Sequence, residues 1–150
     1  MSNIVLLDAG PLGLVTNPGG SSEAYDCNIW LALLVSKGVK VKIPEIADYE
    51  VRRELLRAEK IKGLQRLNDL KTLIDYIPLT TQTMLLAAEF WAQIRKQGKP
   101  TADAKALDGD VILAAQASLM SNDGHDVIIA TTNVGHLSRL AKASEWRNIE

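Results

Sequence analysis

Four polar residues stand where the sequence is otherwise apolar or about to turn: Asp8, Glu50, Asp110 and Asn133. Asp8 directly follows Ile4-Val5-Leu6-Leu7, an apolar run of the buried-strand type. Asn133 follows Asp126-Val127-Ile128-Ile129-Ala130-Thr131 in the same sense. Ligand sites of open parallel sheets gather beyond the carboxyl ends of the strands, although Asp and Asn also serve there as plain turn formers. Asp110 is harder to accommodate. Its helical neighbours at three and four positions are Ala106, Leu107, Leu113 and Ala114, which puts a carboxylate on an apolar stripe. That placement costs free energy unless a partner, hydrogen bonds or a cation compensates. A buried salt bridge to Lys105 or Arg139 is one solution and a bound cation is the other. Asp103 shares the stripe two turns earlier, whereas Asp108 points to a mixed face and reads as solvated. Glu50 lies in a charged helix, where exposed pairs of Glu50 with Arg53, or Glu54 with Arg57, describe the stretch equally well.

Carboxylates that converge on one cleft repel each other, raise each other's pKa values and become tolerable when a divalent cation binds. Hard oxygen ligands without sulfur or imidazole favour magnesium or manganese. An ion held in that way positions a water nucleophile and neutralises charge on a phosphodiester. Few rivals exist in the inventory. The single cysteine, Cys27, excludes an internal disulfide and a cysteine-based zinc cluster, and His125 and His136 supply a histidine site poorly. No serine–histidine pair competes, and no G-x-G-x-x-G or Walker loop is present. Asp8 to Gly13 reads as a turn with two glycines and no phosphate-loop lysine.

The elements that must position these residues form one domain over positions 1–150, a length that buries a sizeable core. A content of 47% hydrophobic and 23% charged residues excludes a disordered or low-complexity chain. A formal charge of -1 excludes a strongly cationic nucleic-acid coat. After the first strand, Asn17 to Ser22 reads as a loop, and Ser21 or Ser22 caps a helix running to about Lys37. Val39 to Ile43 is a second strand, ended by Pro44. Ile46 to Leu79 is helical with a break near Lys60 to Gly63 and a short extended piece from Tyr76. Helices over Thr81–Gln97 and Thr101–Met120, the 126–131 strand and a short helix from His136 to Ala143 complete the chain. Strands alternating with helical crossovers imply an α/β fold with a mainly parallel sheet. No apolar run reaches membrane-spanning length and no signal-type start is present, so a soluble, cytoplasmic protein without a membrane partner is expected.

At these residues the sequence resembles the PIN-domain nuclease family, including the VapC-type toxins of toxin–antitoxin pairs. Ile4 to Asp8 is similar to the family's opening strand and first acid, and Ile43-Pro44 followed by Glu50 to the second acid in its setting. Asp110-Val111-Ile112-Leu113-Ala114-Ala115-Gln116-Ala117 resembles the D-x-x-I-A-A-x-A helix, the most specific match. Val127 to Asn133 resembles the closing strand, with Asn133 at the fourth acid position and His136-Leu137 where many members carry Asp-Phe. The loop from Gly10 to Ser22 is longer than in the small toxins.

The resemblance implies a three-layer α/β/α sandwich and a magnesium- or manganese-dependent ribonuclease that is the toxin of a toxin–antitoxin pair, with a non-toxin RNA-processing or RNA-binding protein of weak or no catalysis as the alternative. It also implies roles. Asp8 and Asp110 would be metal ligands, directly or through water. Glu50 would orient a metal-bound water or a second cation. Asn133, backed by Thr131, would hydrogen-bond water or a phosphate oxygen.

Between Ser36 and Lys71 there are ten Lys/Arg against six Asp/Glu. Arg52, Arg53, Arg57, Lys60 and Lys62 are therefore either ordinary solvated charge or phosphate contacts beside Glu50. Trp30, Phe90 and Trp91 read as core, Tyr25 and Cys27 as core or loop, and Trp146 as a pin for the C-terminal tail. The expected partners are an RNA substrate, a small antitoxin protein and a second copy of the chain.

Overall fold

The computed structural model describes residues 3–17, 19–97, 104–135 and 137–150. Five parallel strands form one sheet: β1 (Asn3–Leu7), β2 (Lys40–Pro44), β3 (Asp75–Ile77), β4 (Asp126–Thr131) and β5 (Ala143–Glu145), in the order β3-β2-β1-β4-β5. Helices α1 (Ala9–Thr16), α2 (Ser22–Ser36), α3 (Glu45–Arg57), α4 (Ile61–Leu73), α5 (Thr81–Lys96) and α6 (Ala104–Asn122) connect them. Chain order steps outward from β1 through β2 to β3 and then returns to β4 on the other side of β1. The reversal makes the adjacent ends of β1 and β4 the topological switch point, where a crevice opens in such sheets.

The central strand explains its own composition. Val5 and Leu7 join the core under α1, α2 and α4, whereas Ile4 and Leu6 join the core under α6. A strand covered on both faces must be apolar wherever it is covered, and this one is from Ile4 to Leu7. Helices on both faces complete the three-layer α/β/α sandwich. Ser21 caps α2 by accepting from the Ala24 N–H at 3.1 Å, and Gly38, at φ +81°, releases the chain toward β2. The break between α3 and α4 falls at residues 58–60, just ahead of the break expected near Lys60 to Gly63, and passes through Glu59, at φ +54°.

Several expectations fail for physical reasons. The turn at Asp8–Gly13 and the loop that begins at Gly10 are instead the helix α1. Its two glycines and a proline give it poor helix propensity. Asp8 caps its start, Pro11 sits in the first turn where its missing N–H is harmless, and Leu12 and Val15 are buried. Tertiary burial overrides propensity. The short helix expected from His136 to Ala143 is a 3-10 turn over Leu137–Arg139, followed by the edge strand β5; His136 itself lies outside the described residues. Trp91, expected in the core, is 39% exposed, and Tyr25 is 66% exposed. Trp146 is buried as expected, edge-on to Trp30 at 5.5 Å between ring centroids, and the Trp30 indole N–H donates to the Ile149 carbonyl at 2.8 Å.

The two glycines of α1 test its helical state with opposite signs. A β-carbon on Gly13 meets nothing within 4 Å, whereas one on Gly10 collides with the Thr132 side chain. Gly13→Ala should therefore raise stability by about 0.5–1 kcal/mol, because the helix no longer carries the entropy of a glycine. Gly10→Ala should lower it. Urea denaturation of the two variants beside the parent checks both signs.

Candidate active site at the carboxyl edge of the sheet

Asp8 leaves the end of β1 at the switch point. Its backbone N–H donates to the Ala130 carbonyl of β4 at 2.9 Å, so the strand pairing itself sets where the residue begins. Its carboxylate is held at both oxygens. Oδ1 accepts from the Ala9 N–H at 2.7 Å and Oδ2 accepts from the Thr131 hydroxyl at 2.7 Å. Thr131 ends β4 and in turn accepts the Asn133 backbone N–H at 3.1 Å. The chain after β4 is thus tied through one hydroxyl to the first acid. Burial raises the Asp8 pKa, and the bonds from Thr131 and Ala9 oppose that rise.

Glu50 comes from α3, which packs against α1 and α6, and its side chain is 23% exposed. Its pKa is raised by burial first and by the charge of Asp8 second, while Arg53, with Nη2 4.0 Å from Oε2, acts in the opposite sense. Asp110 comes from α6, among the buried residues Leu107, Val111, Leu113 and Ala114. Burial, the charge of Asp8 and the charge of Glu50 all push its pKa up, to about 7. The salt bridge that would neutralise it is not formed by Arg139, and the Lys105 side chain lies outside the described residues, as does Asp103.

Three acids, from the end of β1, from α3 and from α6, therefore come near enough at the sheet edge for charge on one to be felt by another. Asn133 reaches the same edge through its backbone bond to Thr131, with its side chain in solvent. Asp108 is exposed, as expected. Among the described residues no three carboxylate, imidazole or thiol groups are gathered tightly enough to enclose an ion by themselves. The residues fit a water-rich magnesium or manganese site, in which one or two carboxylates and several waters complete the shell. The donor set is all oxygen, and a cation there would offset the burial and the charges of Asp8 and Glu50 that together disfavour a charged Asp110.

Two glycines absent from the sequence-level expectations crowd this edge. A β-carbon on Gly10 would strike Thr132, and one on Gly109 would lie 2.8 Å from Glu50 Oε2. The signal for Gly109 was in plain view: a glycine inside a helix costs roughly 1 kcal/mol relative to alanine, which invites a reason.

No protein-family model and no curated protein sequence matches the chain. Solved structures do. A chain of the VapBC2 complex from Rickettsia felis, bound to a DNA fragment from its promoter, superimposes with a TM-score of 0.71 at 16% identity, covering 95% of this chain and 98% of the other. A chain of VapBC-1 from nontypeable Haemophilus influenzae gives 0.69 at 15% identity, covering 97% and 99%. VapC20 from Mycobacterium tuberculosis, a Sarcin-Ricin loop cleaving toxin, gives 0.56 at 13% identity, covering 87% and 90%. The chain has the PIN fold of the VapC toxins.

Within this PIN fold the basic stretch beside Glu50 separates into different duties. Arg52 is committed to buried Asp48, donating from Nε at 2.8 Å and from Nη2 at 3.0 Å, and its Nη1 donates to Asn68 at 2.9 Å. It joins α3 to α4 and is not available to a phosphate. Arg53 faces Glu50 and lies over the Tyr49 ring at 5.1 Å. Arg57 pairs with Glu54 at 2.8 Å on the surface, a bond that water and salt weaken. Arg57 and Lys60 line a groove of about 440 Å³ between α1 and α3 that also includes Glu50 and Gly10. Lys62 is exposed and does not line it.

The Asp110 carboxyl group makes metal-free stability depend on pH. Its folded pKa of about 7 lies above the unfolded 3.8. Its contribution is therefore complete below about pH 4 and is lost as pH rises through 7. Asp110→Asn should raise the melting temperature of metal-free protein at pH 8 and leave it nearly unchanged at pH 4. Parallel curves of melting temperature against pH would contradict this.

Proposed function

We propose that the protein is a metal-dependent endoribonuclease, the toxin of a toxin–antitoxin pair, hydrolysing RNA phosphodiesters at the Asp8–Glu50–Asp110 edge. The observation that carries the reading is the Asp110 carboxylate, half-buried and without a basic partner among the described residues, whose neighbours Asp8 and Glu50 raise its pKa further, at the switch point of a PIN fold. An acid kept in such a place is explained by a cation. The choice of RNA is supported by the likeness to VapC20, a toxin that cleaves the Sarcin-Ricin loop.

When bound, Mg2+ or Mn2+ supplies a water of lowered pKa and neutralises charge on the phosphodiester. Asp8 and Asp110 are the residues that would hold it, directly or through water. The Thr131 hydroxyl and the Ala9 N–H fix the Asp8 carboxylate in one orientation, so no side-chain freedom is lost when the site fills. Glu50, with its raised proton affinity, orients the attacking water through its carboxylate oxygens and accepts its proton. Asn133 offers an amide and no charge, so it orients water or a phosphate oxygen. Arg57 and Lys60 meet the phosphates that flank the scissile bond along the α1–α3 groove.

Partners follow the same line. The likeness to chains of VapBC complexes supports a small antitoxin that covers the protein. An apolar groove of about 380 Å³ on α5 and α6, lined by Met84, Trp91, Val111 and Ile112, supports a homodimer, because exposed apolar patches mark association surfaces. Among the described residues no helix is long and apolar enough to cross a membrane.

Manganese should raise the melting temperature of the parent, by mass action on the native state, and Asp110→Ala should abolish that rise. Single-turnover cleavage of total RNA should require the ion, and Asp8→Asn and Asp110→Asn should abolish it. Asn133→Ala should slow the reaction less than Asp110→Asn does, since it removes orientation and no ligand charge. A parent protein that binds RNA without metal-dependent cleavage would replace the nuclease with an RNA-binding module.

A further inference from the structure

We infer that Gly109 is a positioning residue, whose missing side chain is the seat that holds the Glu50 carboxylate against α6. The inference rests on the ribonuclease reading and deepens it. Backbone conformation does not require a glycine here. Gly109 lies inside α6, and the glycines with positive φ among the described residues are Gly20, Gly38, Gly124 and Gly135. A helix interior favours alanine over glycine, so something else selects the bare backbone.

The space beside Gly109 belongs to one side chain. The three atoms nearest to a β-carbon built there are Glu50 Oε2 at 2.8 Å and Glu50 Cδ and Oε1 at 3.2 Å. A methyl group cannot share that volume with the carboxylate. Gly109 immediately precedes Asp110, so one stretch of α6 presents its own acid and receives the acid of α3. The contact is with the far end of a flexible side chain, not with backbone. Filling the seat therefore displaces the Glu50 carboxylate and leaves the fold intact. Position and stability separate, and they move in opposite directions.

Gly109→Ala, Glu50→Asp and the double variant, each compared with the parent, test the seat by two readouts. In single-turnover RNA cleavage across a manganese titration, Gly109→Ala should lower the plateau by about 100-fold, the scale expected when a reacting group is misplaced by about an ångström. Its metal-free melting temperature should not fall. The side chain left by Glu50→Asp is one methylene shorter and clears the added methyl, so the loss in the double variant should be smaller than the product of the two single losses. The same relief should appear without any reaction: Gly109→Ala should raise the melting temperature more in the Glu50→Asp background than in the parent. Wild-type cleavage by Gly109→Ala, or single losses that multiply, would overturn the positioning role. Equal melting shifts in the two backgrounds would overturn the contact itself. A parent that cleaves no RNA defeats the ribonuclease reading instead, and the melting comparison then still decides the seat.

Discussion

The structure is organised around three acids held where their charge is expensive. Asp8, Glu50 and Asp110 are delivered to one edge of the sheet by three elements, where burial raises the pKa of each. Asp8 adds to the rise on Glu50, and Asp8 and Glu50 add to that on Asp110. Nothing in the packing requires them to meet. The stability that tolerates them comes from elsewhere, from strands β1 and β4 buried between helices on both sides and from the sealed contacts around Leu12, Leu67 and Ile129. Like charges held together in this way are what the proposed cation would offset, by adding attraction where the carboxylates otherwise only repel.

The edge is also stiff where chemistry would need it to be. Asp8 pairs through its backbone with β4, and its carboxylate is fixed at both oxygens, by the Ala9 N–H that it caps and by the Thr131 hydroxyl. Two glycines allow the close approaches that complete the arrangement. Gly10 lets α1 lie against Thr132, and Gly109 lets α3 place Glu50 against α6. By contrast, the groove leading away from the acids is lined by the exposed side chains of Lys60 and of Arg57, the latter held only by a surface pair with Glu54. A rigid centre with exposed surroundings suits the proposed cleavage of a single bond in RNA.

Charge counted along a sequence is a poor guide to charge available in a site. The stretch from Ser36 to Lys71 carries a local excess of four basic residues. Its most buried guanidinium, Arg52, serves Asp48 and the junction of α3 with α4, since a buried carboxylate left without that partner would be expensive. Arg53 is drawn to Glu50 and Tyr49. The tertiary contacts thus leave fewer cations for a phosphate than the count suggests.

Four of the five strands and the parallel sense of the sheet were legible in the order of amino acids alone. The apolar runs at Ile4–Leu7 and Val127–Ala130 can be satisfied only as strands covered on both faces. Asp110 demanded a compensating partner simply by standing on an apolar stripe. The helix α1 was hidden, because Gly10, Pro11 and Gly13 argue locally against it and only the burial of Leu12 and Val15 decides the matter. The edge strand β5 was equally hidden, since three residues carry no periodicity and are ordered by the hydrogen bonds that β4 offers. The exposure of Trp91 also belonged to the tertiary structure, because an apolar stripe does not say whether anything covers it. So did the duty of Gly109: its sequence signal was a glycine out of place, and its reason is an oxygen on another helix.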